Sequence, residues 1–289
     1  MTQVLNCPVC NSEKLKSLHG YEKFHLSKCG NCNMVFANKI PEIAELESHY
    51  NQYTREDYLS PITIKRYNEL LDKFEKYKHT GKILDVGCGI GYFLEQAKKR
   101  GWDVYGTEFT SDAVSICEGK GIKMTKGALN IENYQLEDFD VVTSFEVIEH
   151  LTNPIEEMDK FSHLLRKGGL LYVTTPNFNS VLRHLLKSNY NVISFPEHLL
   201  YFTKRTLNRA LRKSNFRVMA TSSSGLSMSR AKAGMNLKAE KPIQMNSHDE
   251  KIRALANDNF FFKGIVQLIN IVLNKTGLGD ALKSFSIKS

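Results

Sequence analysis

No stretch of this 289-residue chain approaches the roughly 18 uncharged apolar residues that a membrane-spanning helix needs. The best run, 260–273, is interrupted by Lys263, Gln267 and Asn270. The opening MTQVLNCPVC has neither the basic region nor the apolar core of a secretory signal. A soluble protein of the cytoplasm is therefore expected. Acid is scarce in the C-terminal part: residues 178–289 hold 18 Lys and Arg against 6 Asp and Glu, whereas residues 1–177 hold 21 against 25. Such asymmetry fits an anionic partner for that part, whether nucleic acid, phosphorylated metabolite or membrane surface. A basic surface with no partner is the plain alternative. At 42% hydrophobic and 24% charged residues the chain is neither disordered nor fibrous, and its length fits about two domains.

Cys7, Cys10, Cys29 and Cys32 read C-x2-C-x18-C-x2-C, within the spacing of a four-cysteine zinc site. Each C-x2-C pair bends a short turn so that two thiolates converge, and two such turns complete a tetrahedron of sulfurs. Pro8 and Gly30 suit those turns. Two disulfides are the competing pairing, but nothing in the sequence points to an oxidising compartment. With four cysteines engaged no coordination position stays open, so a structural zinc is expected. Cys88 and Cys117 read as ordinary small buried residues.

A polar, tyrosine-rich stretch, 40–58, follows; its tyrosines read as core or surface residues, or as a lid over a ligand. Ile62, Tyr67, Leu70, Leu71, Phe74 and Tyr77 then recur at helical spacing, ending near Gly81. KILDV from Lys82 is a short apolar strand, followed at once by GCGIG (Gly87 to Gly91) and a helical pattern from Tyr92 to Arg100. A second strand, Asp103 to Glu108, ends in a carboxylate 21 positions after Gly87. Strand, glycine turn, helix, strand and terminal acid form the first unit of a nucleotide-binding parallel sheet. Tyr92 and Phe93 stand where a dinucleotide site needs its third small residue, and Asp85 adds an acid where a pyrophosphate would be repelled.

LDVGCGIGYF and GTEFT resemble the first and second motifs of class I S-adenosylmethionine-dependent methyltransferases. FDVVTSFEVIEHLTNP (Phe139 to Pro154), LLRKGGLLYVTTPN (Leu164 to Asn177) and HLLYFTKRTLNRALRKSNFRV (His198 to Val218) resemble their fourth, fifth and sixth strands with the adjoining turns and helices. GDALKSFSIK reads as the seventh strand. The cysteine segment with KCGNCNMVFAN and HYNQY is similar to bacterial zinc-ribbon methyltransferases of polysaccharide and secondary-metabolite modification. The implied fold is α/β: a Rossmann-like seven-stranded methyltransferase sheet with helices on both faces, a zinc ribbon over 1–40, a linker and helix over 41–78, and a methyltransferase domain over 79–289. A helical insertion near 225–278 contains the amphipathic FFFKGIVQLINIVL and is expected to roof the acceptor site, make a homodimer, or rest on a membrane surface.

The resemblance also implies roles. Asp85, Gly87, Gly89 and Gly91, with Tyr92 and Phe93 after them, would line the methionine end of S-adenosylmethionine. Glu108 would hold the ribose, Phe109 flank the adenine, and the backbone near Ala128 and Leu129 frame it, with Glu146 at the pocket rim. Methyl transfer is a direct displacement that needs alignment and sometimes a base; the candidates are His150, with Glu149 to orient it, and His198. Glu146 to His150 resembles the E-x-x-E-H group of ubiquinone-pathway O-methyltransferases, where a divalent cation is an alternative role. A third alternative is that Glu149 and His150 only shape the turn, and His198 likewise reads as a structural histidine.

The turn after the fourth strand carries no N-P-P-[YF] or D-P-P-[YF], which disfavours amino-group methylation and favours O- or activated C-methylation. Three functions stand: methylation of a small molecule or sugar, anionic through a nucleotide or lipid phosphate; methylation of RNA through a zinc-ribbon module; and a non-catalytic zinc-binding scaffold. Against RNA, residues 1–80 hold 11 Lys and Arg to 10 Asp and Glu. Against a scaffold, Asp85 and Glu108 are both in place.

Overall fold

The structure, a computed structural model, describes residues 1–42, 59–227, 230–231, 234–235 and 260–289. The expected lid tyrosines at 43–58 and much of the 225–278 insertion lie outside them.

The N-terminal part carries β1 (Thr2–Gln3), β2 (Leu15–Ser17), β3 (Leu26–Cys29), β4 (Val35–Ala37) and β5 (Lys39–Ile40). Then come α1 (Pro61–Phe74), β6 (Lys82–Val86), α2 (Tyr92–Lys99), β7 (Asp103–Glu108), α3 (Ser111–Gly119), β8 (Lys123–Lys126), β9 (Phe139–Phe145) and α4 (Pro154–Leu164). The chain closes with β10 (Leu165–Pro176), α5 (Val181–Leu186), β11 (Leu200–Tyr201), α6 (Lys204–Lys213), β12 (Phe216–Ser224), α7 (Phe260–Thr276) and β13 (Ala281–Lys288). The helix starts follow local chemistry. Pro61 opens α1 behind Ser60, whose Oγ accepts the Ile62 N–H at 3.2 Å, and Thr203 caps α6 in a reciprocal box with Thr206.

Seven strands form one sheet in the order β12-β13-β10-β9-β6-β7-β8. β6 to β10 pair in parallel, and β13 runs antiparallel between β10 and β12. Alternate residues feed two cores, as the period of a strand requires. Ile83, Val141, Leu170 and Tyr172 join α1 and α2 on one face; Leu84, Val142, Leu171 and Val173 join α4 and α6 on the other. β10 starts at Leu165 and runs through Gly168 and Gly169, the expected turn, with a register shift against β9 before Leu170. A Cβ at Gly169 would stand 2.9 Å from the Arg166 carbonyl oxygen and 3.2 Å from that of Asp140, so only glycine lets the strand pass there.

The ribbon is not closed by residues 1–40. Its four-stranded sheet has the order β11-β4-β3-β2, so its outer strand comes from beyond residue 199. Cys7, Cys29, Met34 and Phe36 share one continuous core with Leu171, Ile193 and Tyr201. α7 packs on β12 and turns Leu268, Ile271 and Val272 outward while Leu273 is buried.

A buried ionic clamp sets the amino ends of the central strands. Asp140 on β9 is fully buried; its carboxylate accepts from Arg166 Nε at 2.5 Å and from the His79 and Gly81 amides at 2.7 Å each. Arg166 also donates to the Tyr77 carbonyl at 2.7 Å. Burial opposes the charged carboxylate, but these donors outweigh it and hold Asp140 below the ordinary aspartate range. Asp140→Ala should cost on the order of 3 kcal/mol, because it leaves Arg166 and two amides without their acceptor. Denaturant unfolding measures this; a loss under about 1 kcal/mol would show that the clamp is not needed.

Candidate active site

The carboxyl ends of β6, β7 and β9 face the segment where doubly wound sheets bind ligands. Asp85 lies near the end of β6, 2% exposed, with Thr143 Oγ1 of β9 donating to it at 2.7 Å. Burial pushes its carboxyl up to about 8, against the pull of the Thr143 hydroxyl, and Cys117 and Glu108 add to the rise. In the loop that follows, a Cβ at Gly87 would sit 2.6 Å from Val147 Cγ2, so the loop presses on the turn after β9. Gly89 has φ +56, a backbone conformation that favours glycine, and open space where a Cβ would stand. Glu108, at the end of β7, accepts the amides of Gly89 at 3.1 Å and Phe109 at 2.8 Å, which ties the two strand ends together.

Across from this loop lies a polar group built on the turn after β9. Glu146 takes φ 54 and donates its amide to Thr174 O at 3.1 Å, which breaks the strand and swings the following residues aside. Its side chain is exposed, yet desolvation raises its pKa, with the Thr174 hydroxyl and then Arg230 and Lys283 pulling the other way. Glu149, 2% exposed, accepts from Thr175 Oγ1 at 2.9 Å. Burial, with the Glu146 charge behind it, raises its pKa well above the glutamate range.

His150 Nδ1 lies 2.8 Å from the Glu197 carbonyl oxygen, and His198 Nδ1 lies 2.7 Å from that of Val192. A carbonyl only accepts, so each Nδ1 carries the proton and each Nε2 is the acceptor nitrogen. The two rings meet edge to face with centroids 4.8 Å apart. Burial, then the neighbouring His150, brings His198 down to about 4, so it is neutral at pH 7. Glu149, His150 and His198 each bring one ligand-capable atom within 4.8 Å of the others.

Two residues absent from the sequence reading complete this side. Arg230 stands on a short helical turn whose start is capped by Ser227: the Arg230 amide donates to Ser227 Oγ at 3.3 Å, and the Ser227 amide to Asp280 at 2.8 Å. Burial works against its charge, but Tyr190, Glu146 and Asp280 raise its pKa, so the guanidinium stays cationic. Tyr190 is 1% exposed. A lone arginine in a polar insertion leaves no signal in sequence. Thr143 and Thr175 were missed as well, although hydroxyls interrupting apolar strands are a signal that could have found them.

Tyr92 is half-buried under the Lys120 ammonium, which stands 4.6 Å from its ring. Phe93 corrects the expectation that it lines the cofactor: one step along the helix it turns into the core, against Tyr67, Phe74 and Phe145. Leu129 likewise buries its side chain and can offer only backbone, whereas Phe109 remains 60% exposed beyond Glu108.

The four ribbon cysteines converge. Their sulfurs lie within 4.8 Å of one another, with Cys7 to Cys32 at 3.4 Å and Cys10 to Cys29 at 3.6 Å. These are not disulfides. A tetrahedral metal with bonds of about 2.3 Å needs sulfur separations of about 3.8 Å, so the cluster fits one. The Asn31 amide and side chain donate to Cys29 and Cys10, the contacts a thiolate accepts.

Asp85 generates a pH test. Its folded pKa lies above the ordinary 3.8, so between about pH 4 and 8 the folded protein holds a proton that the unfolded chain has released. Stability without cofactor should therefore fall as pH rises through that window and level off above it. Asp85→Asn should flatten the fall and raise the melting temperature at pH 8. The difference between the two proteins isolates Asp85 from Glu149; identical pH profiles would refute the shift.

Comparisons with known proteins agree with this geometry. A family model for a methyltransferase domain matches residues 54–221. A ubiquinone biosynthesis O-methyltransferase of Glaesserella parasuis is 28% identical over 144 residues, 41% of this chain and 61% of that one. One of Roseobacter denitrificans is 32% identical over 134 residues, 43% and 52% of the two chains. The chain spans about half the length of the curated relatives it matches. Among solved structures, a SAM-dependent methyltransferase of Archaeoglobus fulgidus superposes with a TM-score of 0.52 at 19% identity, covering 86% of this chain and 100% of that one. A Haemonchus contortus phosphoethanolamine N-methyltransferase 2 gives 0.54 at 17%, covering 88% and 61%. At such identities the superpositions establish the fold alone. The matched domain takes in more than half of the sequence, and the chain belongs to the methyltransferase domain family.

Proposed function

We propose that this protein transfers a methyl group from S-adenosylmethionine to a hydroxyl of an anionic small molecule or sugar, with His150 as the base. One observation carries the reading: His150 Nδ1 is committed to the Glu197 carbonyl, so its Nε2 is a proton acceptor at the end of β9, on the turn that Gly87 touches. The O-methyltransferase relatives support oxygen as the acceptor atom.

S-adenosylmethionine, when bound, would supply an electrophilic methyl on a sulfonium whose sulfur would keep the C–S bond electrons. The chain's own residues do the rest. Glu108 exchanges its amide partners for the ribose hydroxyls, and Asp85, losing its proton, balances the positive charge of the methionine end. Gly89 lets backbone approach the ligand. On the acceptor side, His150 Nε2 takes the hydroxyl proton as the new O–C bond forms, and neutral His198 packs against its ring. Arg230 gives the pocket a cation for a carboxylate or phosphate on the acceptor, with Glu146 and Tyr190 beside it. The four cysteines hold a structural zinc, and reduced thiols fit a cytoplasmic setting.

Calorimetry should show S-adenosylhomocysteine binding in the micromolar range, with no binding of NAD. Glu108→Ala should weaken it by about 1.5–3 kcal/mol, the cost of losing hydrogen bonds to a charged group. NAD binding, or unchanged affinity in the variant, would refute the cofactor. With phosphorylated and carboxylated hydroxy compounds as acceptors and S-adenosylhomocysteine release as the readout, His150→Ala should lower turnover at least about 100-fold. Its affinity for S-adenosylhomocysteine should hardly change. Near-normal turnover would leave His150 only a shaping role in the turn.

A further inference from the structure

The ribbon sheet and the histidine pair meet at one strand. β11 begins two residues after His198 and adds to the edge of β4, with Leu200 opposite Phe36 and Tyr201 opposite Val35. The Ala37 amide donates to the Leu199 carbonyl at 2.8 Å, and the Leu199 amide donates to the Glu149 carbonyl at 2.8 Å. Tyr201 Oη donates back to the His198 carbonyl at 2.9 Å. Farther along the same loop, Phe195 packs edge to face on His25 of the ribbon, centroids 5.0 Å apart. The loop that carries both histidine-binding carbonyls, of Val192 and Glu197, is thus fastened to the ribbon at Phe195 and again over residues 199–201.

We propose that the four-cysteine ribbon is the positioning element of the histidine pair: its metal holds β4, β4 holds β11, and β11 fixes His198 and the turn bearing His150. The inference rests on the reading of that pair as acceptor-side machinery and of the cysteines as a zinc site. The links are short. Cys32 precedes β4 by three residues, and the Cys29 amide donates to the Met34 carbonyl at 2.8 Å, closing the turn between them. Strands of three and four residues bury little apolar surface among themselves, so a bound metal adds folding free energy to what the shared core supplies. The cofactor half has its own supports, the Asp140 clamp and the Asp85–Thr143 bond, neither of which touches the ribbon. Metal occupancy therefore governs the acceptor side and spares the cofactor side.

The experiment uses the full chain before and after stripping with a strong chelator under reducing conditions, with zinc counted by elemental analysis. Three quantities are read: amide exchange, the Nδ1–H proton signals of His150 and His198, and S-adenosylhomocysteine affinity. Stripping should speed exchange of residues 199–201 at least about tenfold and abolish both Nδ1–H signals. Exchange in β6 and β7 and the ligand affinity should stay within about threefold. Ala37→Pro removes the donor to Leu199 without touching a cysteine, and should abolish the same signals while zinc is retained. Signals and protection that survive both treatments overturn the proposal. So does collapse of β6, β7 and ligand binding along with them, since the ribbon would then be a general stabiliser. Protein purified without zinc overturns the metal link alone, and Ala37→Pro then decides the strand link. Absence of ligand binding in the untreated protein would instead count against the cofactor assignment.

Discussion

Leu199 holds the two parts of the molecule in register. Buried backbone groups must find partners, and this 2%-exposed residue places its amide on the turn after β9 and its carbonyl on β4 of the ribbon. Neither bond can be given up without orphaning a polar group in the core, at a cost of about 1–3 kcal/mol. The turn after β9, the loop at 192–201 and the ribbon consequently move as one body. Glu149 and His150 inherit their places from it, since the carbonyl of one is bonded to Leu199 and the ring of the other to Glu197 two residues earlier.

The local parts of this architecture were legible in sequence because local rules govern them. KILDV, the glycine loop and the strand ending at Glu108 fall where the apolar run, the glycines and the terminal acid put them. The four cysteines converge as their spacing requires, and Thr203 caps its helix. What escaped depends on distance or on a single step of rotation. Phe93 adjoins the loop in sequence, but a helix advances each side chain by about 100°, which carries it from the ligand face to the core. Leu200 and Tyr201 read as the approach to a helix; nothing near them announces a partner strand in the ribbon. Strand addition uses backbone groups, which every residue has, and so leaves no compositional trace.

The end of β6 and the turn after β9 also show what the fold tolerates. Asp85 and Glu149 are carboxyls kept out of water, each with a threonine hydroxyl donating to it and little else in place of a hydration shell. Apolar residues of similar volume would pack there at lower cost. Natural sequences break their own packing rules mainly at functional positions, and these two carboxyls lie near the end of β6 and on the turn after the neighbouring β9.

The borrowed strand has a consequence for the order in which the protein is made. Val35 and its partner Tyr201 are 166 positions apart, so during synthesis the ribbon emerges long before the edge that completes it. At about 5–20 residues per second, β4 waits on the order of ten to thirty seconds. Through that interval the nascent ribbon presents an unpaired edge and the apolar faces of Met34 and Phe36, a template for pairing with any extended segment nearby. Four converging cysteines at one end of the ribbon do nothing to cover that edge. Closure comes only when the second half of the chain arrives, which makes the joining of ribbon to catalytic sheet a late, long-range step in folding.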